Sequence, residues 1–234
     1  MVARLEVRKV EVRFGSRWVL QGADLDVPAG ALTSLVGPPG VGKTTLFNVV
    51  TGLQKVQAGQ VWLDDQEITA LAPHRRVRLG IARTFQRPEA FDGLTVRENV
   101  LVAAELRRRW AKDGSNSRKV TDEVLARTGL RPWARERSDQ LPPAISRLLE
   151  IGRALATAPR VLLLDEPTAG LTPLEADQIL ELLGELAQEG LAVLLVTADE
   201  ALASRATHPV RLHDGRCYPL TPSITGPAPD QGRA

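Results

Sequence analysis

The chain has 234 residues, enough for one large domain or a core carrying a subdomain, and 43% of them are hydrophobic, ample for a buried core. A single cysteine, Cys217, excludes an intramolecular disulfide and suits a reducing compartment. Net charge is only +2, but ten Lys/Arg against four Asp/Glu fall between Arg107 and Arg137. With only Trp110 and Trp133 interleaved there, a solvated helical face explains the run better than lipid contact or a nucleic-acid platform.

In chain order, Leu5 to Phe14 alternates apolar and polar residues as a half-buried strand does. Residues Met1 to Gly15 contain no apolar core of a signal peptide. Trp18 to Val27 and Ala31 to Val36 read as further strands, and Gly59 to Leu63 as a short one, so antiparallel strands are expected beside a parallel core. Gly80 to Phe85 returns as a strand. From about Arg87 to Ala158 the pattern is helical: Thr95 to Trp110 with Thr95 as N-cap and a Glu three residues on, then Thr121 to Arg127 and Ser146 to Thr157, with a polar break at Lys112 to Lys119. Strands at Val161 to Leu164 and Leu191 to Val196, with a helix Pro173 to Gln188 between them, imply a parallel crossover. Both apolar runs are too short to cross a bilayer, so a membrane role must run through a partner. Pro219 to Ala234 is rich in Pro and Gly and is expected to fray.

Between the third strand and the helix beginning near Thr44 lies Gly37-Pro38-Pro39-Gly40-Val41-Gly42-Lys43-Thr44-Thr45. A glycine, four free positions and Gly-Lys-Thr, placed strand before and helix after, make a phosphate-binding loop. Its N–H groups line a concave anion site, strengthened by the helix N-terminus. Lys43 can reach the β- and γ-phosphates, and the Thr44 hydroxyl can ligate Mg²⁺. The apolar strand ending in Asp165-Glu166 supplies two carboxylates where such sheets bind ligands. Asp165 suits Mg²⁺, and Glu166 suits a general base acting on water.

Together with Gly80-Ile81-Ala82-Arg83-Thr84-Phe85-Gln86, Leu94-Thr95-Val96, Glu98-Asn99-Val100 and the run from Leu149 to Leu171, these motifs resemble the nucleotide-binding subunit of an ABC transporter. The likeness extends from about Leu5 to about Arg216, and the Thr-Phe-Gln form is similar to the importers of branched-chain amino acids and their urea/amide relatives. The resemblance implies an α/β fold: a RecA-like P-loop core, an antiparallel β subdomain and an α-helical subdomain at about 87–158, within an ATPase domain of 1–218 and a tail of 219–234. It implies ATP and Mg²⁺ as ligands, with Gln86 on Mg²⁺ and sensing the membrane partner, and Phe14 stacking on adenine. It also implies permease subunits facing the stretch from about Gln86 to Trp110, a second ABC ATPase subunit, an indirect binding-protein partner, and a peripheral place on the cytoplasmic face of the membrane. No nucleic-acid partner is expected: the chain has neither the long coiled coil of DNA-repair members nor the tandem cassettes of translation members.

Three motifs depart from that family's pattern. The signature Leu-Ser-Gly-Gly-Gln is replaced by Leu141-Pro142-Pro143-Ala144-Ile145, which removes a hydroxyl, two backbone N–H groups and an amide. Ala198 stands where a γ-phosphate histidine belongs, and none of His74, His208 and His213 fills the position. Thr172 replaces the Asp or Asn of the D-loop. Because the signature serves the partner's ATP, the pattern implies the degenerate half of an asymmetric heterodimer. A homodimer would lack a signature and a histidine at both sites. The alternative is a regulatory or structural nucleotide-binding subunit with little turnover.

Overall fold

The computed structural model describes residues 3–84 and 90–220. Two sheets form its frame. The first is antiparallel, ordered β2-β1-β4-β5, from β1 (Ala3–Phe14), β2 (Arg17–Pro28), β4 (Ala58–Leu63) and β5 (Gln66–Glu67). The second is ordered β10-β9-β3-β8-β7-β6, from β3 (Leu32–Val36), β6 (Ile81–Arg83), β7 (Val161–Asp165), β8 (Ala192–Thr197), β9 (His208–His213) and β10 (Arg216–Pro219). All its pairings are parallel except β9 with β10.

β3, β7 and β8 are buried along their whole lengths, which is why β7 and β8 read as near-continuous apolar runs rather than as alternation, while β3 buries Thr33 and Ser34, the Ser34 hydroxyl donating to the Ala203 carbonyl at 2.8 Å. β7 reaches its parallel neighbour β8 through α6 (Pro173–Gln188), the crossover the sequence implies. The helix starts where Thr172 and Glu175 form a capping box with Pro at the first helical position.

One core lies between the two sheets and around α1 (Lys43–Thr51), centred on Leu5, Leu35, Phe47 and Val161. The other joins the outer face of the parallel sheet to α3 (Val96–Ala111), α4 (Ser117–Arg127), α5 (Pro143–Leu155) and α6. α3 opens on a second capping box, Thr95 with Glu98. Asn99, fully buried, accepts the Phe91 N–H and donates to the carbonyls of Phe91, Leu94 and Thr95, fastening the segment before α3 to the helix.

Some boundaries differ from the sequence reading. α4 begins at Ser117, inside the polar break, because the Asn116 side chain caps it by accepting from Arg118 and Lys119. α5 begins at Pro143, three residues before the expected Ser146, since Pro is well suited to the first turn. The strand expected over Gly80 to Phe85 ends at Arg83, and Phe85 lies outside the described residues. α2 (Pro73–Arg78), α7 (Glu200–Ala203), β5, β9 and β10 were not read from the sequence. Of the tail expected to fray, 221–234 lie outside the described residues.

Candidate functional site

The order β3-β8-β7 brings three carboxyl ends together. β3 delivers the phosphate loop, β8 ends at Thr197 and Ala198, and β7 ends at Asp165 and Glu166. Beside them lies a cavity of about 480 Å³ lined by Pro39, Gly40, Gly42, Lys43, Thr44 and Thr45 of the loop, by Asp165 and Glu166, and by Phe14, Arg17 and Val19.

The loop needs glycine at two points for different reasons. A Cβ on Gly37 would lie 2.8 Å from the Leu212 carbonyl oxygen of β9. Gly42 has φ 115°, and a Cβ there would lie 2.9 Å from Val19 Cγ1. Lys43 is the first residue of α1 and is buried; its Nζ donates to the Gly37 carbonyl and, at 3.2 Å, to the Pro38 carbonyl. The ammonium is thus held over its own loop beside the free N–H groups of the helix N-terminus. Val41 packs partly against the inner core instead of lining the cavity.

Asp165 is 2% exposed. Arg83 Nη2 pairs with its Oδ2 at 3.2 Å, while its Oδ1 is buried with no hydrogen-bond partner among the described residues. An orphaned buried carboxylate oxygen, on a residue lining a cavity that Thr44 also lines, fits a hard divalent cation. No cluster of three or more His, Cys, Asp or Glu occurs among the described residues, so Mg²⁺ would rest on Asp165, Thr44, phosphate oxygens and water, as that ion prefers.

Glu166 sits in the left-handed region at φ 50°, a strain of about 1–3 kcal/mol for a non-glycine residue. Its N–H donates to the Val196 carbonyl at 3.0 Å, which ties the turn to β8. Burial pushes its carboxyl above the usual range; Lys43 and the Ala198 N–H oppose this, nearby Asp165 adds to it, and the Thr197 hydroxyl opposes it weakly.

Phe14, 52% exposed, lines the same cavity from the end of β1. Arg17, its direct cross-strand partner, was missed because an exposed arginine in a hairpin carries no sequence signal. Arg83 lay within a quoted motif, but its contact with Asp165 spans 82 positions. Gln86 lies outside the described residues.

The degenerate positions have structural employment. Pro142 caps α5 without a side-chain hydrogen bond and, with Pro143, is exposed, while Ile145 packs partly buried against the outer core. The Thr172 hydroxyl and N–H both meet the Glu175 carboxylate, at 2.7 and 2.8 Å, so this threonine serves as a helix cap. In the basic segment, Arg107, Arg108, Lys119, Arg127 and Arg137 each pair with a carboxylate, in keeping with a solvated face. Burial, with help from Asp24, pushes the Cys217 thiol up to about 12, so it is no nucleophile at neutral pH.

Comparison with known proteins bears on the family and the fold. Residues 20–169 match the model of the ABC transporter family. This chain belongs to that family. It is 34% identical to the high-affinity branched-chain amino acid transport ATP-binding protein BraF of Pseudomonas aeruginosa, covering 90% of this chain and 88% of the relative. It is 35% identical to the corresponding protein LivG of Escherichia coli, covering 85% and 83%. Among solved structures it superposes on an ABC transporter cassette in its ADP conformation with a TM-score of 0.83, 28% identity, and 93% and 90% of the two chains. It also matches a dimeric cassette in a post-hydrolysis state bound to ADP and Pi, at a TM-score of 0.78 and 28% identity, covering 93% and 99%. The chain is therefore an ATP-binding subunit of the ABC transporter family, with the fold expected from its sequence.

Proposed function

We propose that the chain powers an importer of the branched-chain amino acid type, as the degenerate half of a cassette heterodimer on the cytoplasmic face of a membrane. The observation that carries the reading is the convergence of the phosphate loop, Asp165 and Glu166 on one cavity. The relatives' names point to branched-chain amino acid transport.

In this reading the triphosphate lies on the loop, held by its N–H groups, by Thr45 and by the Lys43 ammonium, which leaves the Gly37 and Pro38 carbonyls for the phosphates. Phe14 stacks on adenine. Mg²⁺, on Thr44 and Asp165 with Gln86 assigned by resemblance, would neutralise developing phosphate charge. Glu166 orients a water and takes its proton as the oxygen attacks the γ-phosphorus. The bond to the bridging oxygen breaks, leaving ADP and phosphate. A carboxyl raised by burial is a better proton acceptor than an exposed one, and the Ala198 N–H and Thr197 hydroxyl nearby favour its ionised form.

A second cavity, of about 600 Å³, opens between α2, β6, α3 and α5. Leu53, Val77, Ala103, Leu106 and Trp110 make its wall largely apolar, and Leu53, Val77 and Leu106 are exposed. A helix of the permease fits such a groove. No helix among the described residues is long and apolar enough to cross a membrane. In this reading the permease supplies the attachment to the bilayer.

The proline-blunted signature supports asymmetry. In a complex with a complete cassette, ATP on this chain meets an intact signature, and the partner's ATP meets Pro142 and Pro143. Ala198 and the two prolines also favour a second reading, a regulatory subunit that closes on ATP and hardly turns over. ATPase assays on the purified chain decide between these accounts and a self-sufficient enzyme. The wild type is expected to stay near background. The repaired chain, with Pro142→Ser, Pro143→Gly, Ala144→Gly and Ile145→Gln, is expected to turn over measurably faster. Brisk turnover by the unrepaired chain alone refutes the heterodimer. No turnover with a complete partner cassette supports the regulatory reading.

A further inference from the structure

The metal side of the site rests on two elements that share no covalent neighbour. Thr44 lies on α1 and Asp165 at the end of β7. Among the described residues, Arg83 connects them. Arg83, on β6, sends Nη1 to Asn48 Oδ1 at 2.6 Å and Nη2 to Asp165 Oδ2 at 3.2 Å. Asn48 follows Thr44 by four residues on α1, so both lie on the same helical face one turn apart. The Arg83 side chain is 9% exposed, and its guanidinium carbon lies 5.5 Å from the ring centroid of Phe47, itself fully buried.

We propose that Arg83 is the positioning residue of the magnesium site. It fixes Asp165 relative to Thr44 by bridging the phosphate-loop helix to β7, and it occupies Oδ2 so that Oδ1 alone is offered to the ion. The inference rests on the proposed ATP site. The planar fork of arginine suits this bridge, because its separate donors hold an amide oxygen and a carboxylate at once in a fixed geometry that a lysine lacks. The guanidinium also repels a dication, so the sign of the effect is diagnostic. If ordering of the buried carboxylate outweighs that repulsion, removing Arg83 weakens Mg²⁺ binding; if repulsion dominates, removal tightens it. Supporting partners of metal ligands are typically worth about 10–100-fold in metal affinity, which favours ordering.

The test is calorimetric ATP binding by the full chain in EDTA and across a Mg²⁺ titration, with Mn²⁺ bound in the presence of ATP followed by electron paramagnetic resonance. Arg83→Gln is expected to leave metal-free ATP affinity within about twofold and to raise the Mg²⁺ concentration for half-saturation about tenfold or more. Arg83→Lys should fall between it and the wild type, and Asn48→Ala should shift the same way by less. A merely structural role would lower the melting temperature without this selective loss. Should Arg83→Gln fail to fold, Arg83→Lys and Asn48→Ala carry the same test. A half-saturation unchanged or lowered in the folded variants overturns the proposal while wild-type MgATP binding stands. Failure of the wild type to bind MgATP removes the ATP site itself, and this proposal with it.

Discussion

The Glu166 N–H donates to the Val196 carbonyl at 3.0 Å, which sets its carboxylate close enough to the Ala198 backbone N–H for that dipole to favour the ionised form. Ala198, which stands where the family's histidine is expected, thus acts on the proposed base through its backbone, while its methyl offers nothing to a phosphate. Restoring the side chain should add a donor where charge develops. Ala198→His in the signature-repaired chain is expected to raise turnover, by up to about 10²–10³-fold if the imidazole reaches the γ-phosphate. Steady-state ATPase assays check it, and an unchanged rate would place the imidazole out of reach.

Glu166→Gln should abolish the proposed base with little loss of ATP affinity. General-base catalysis is worth about 10²–10⁴-fold, and single-turnover hydrolysis should fall by that order. In the wild type the acid limb of the pH–rate profile should lie above the ordinary carboxyl range, because burial raises this group and only its ionised form accepts a proton.

The same shift has a stability signature. A folded-state pKa raised above the unfolded one favours the fold at low pH, and that contribution is lost as pH rises through the folded value. At neutral pH the ionised Glu166 therefore weakens the fold, and Glu166→Gln should melt at a higher temperature. The gain should shrink as pH falls through the raised folded value and vanish below the usual glutamate range. Calorimetric melting of both proteins across about pH 4–8 would show it, and a pH-independent difference would contradict it.

Arg76 is 3% exposed and among the described residues donates to carbonyls: Leu71 through Nε, Val49 and Val50 through Nη1, and Thr69 through Nη2. Burial pulls it down to about 10, so it remains charged at neutral pH and clamps the C-terminal end of α1. Arg76→Met leaves two buried and two part-buried carbonyls without this donor and should cost at least about 3 kcal/mol, read by denaturant unfolding. Arg76→Lys, with one point donor, should recover only part of that.

What the sequence showed and hid follows the distance over which each feature is encoded. α6 came out with both ends right because its capping box, its Pro at the first position and its periodicity are all local. The loop from Gly37 to Thr45 and the Asp165-Glu166 strand end were legible for the same reason. β9, partly buried at Pro209 and Arg211, mimics no simple pattern, and α2 is six residues of mostly exposed polar side chains. The start of α5 was misplaced although Pro143 is a sound first-turn residue. Pro142 at the N-cap offers no side-chain hydrogen bond, so the usual capping signal is missing there. Arg83 with Asp165 and Asn48, and Arg17 beside Phe14, come together only through folding.

Binding of MgATP to the purified chain, measured by isothermal titration calorimetry for wild type and Lys43→Ala, tests the central claim most directly. The account predicts one saturable site in the wild type and an affinity at least about tenfold lower, roughly 1.4 kcal/mol, once the ammonium is removed. Absence of heat in the wild type, or equal affinity in the two proteins, would contradict it.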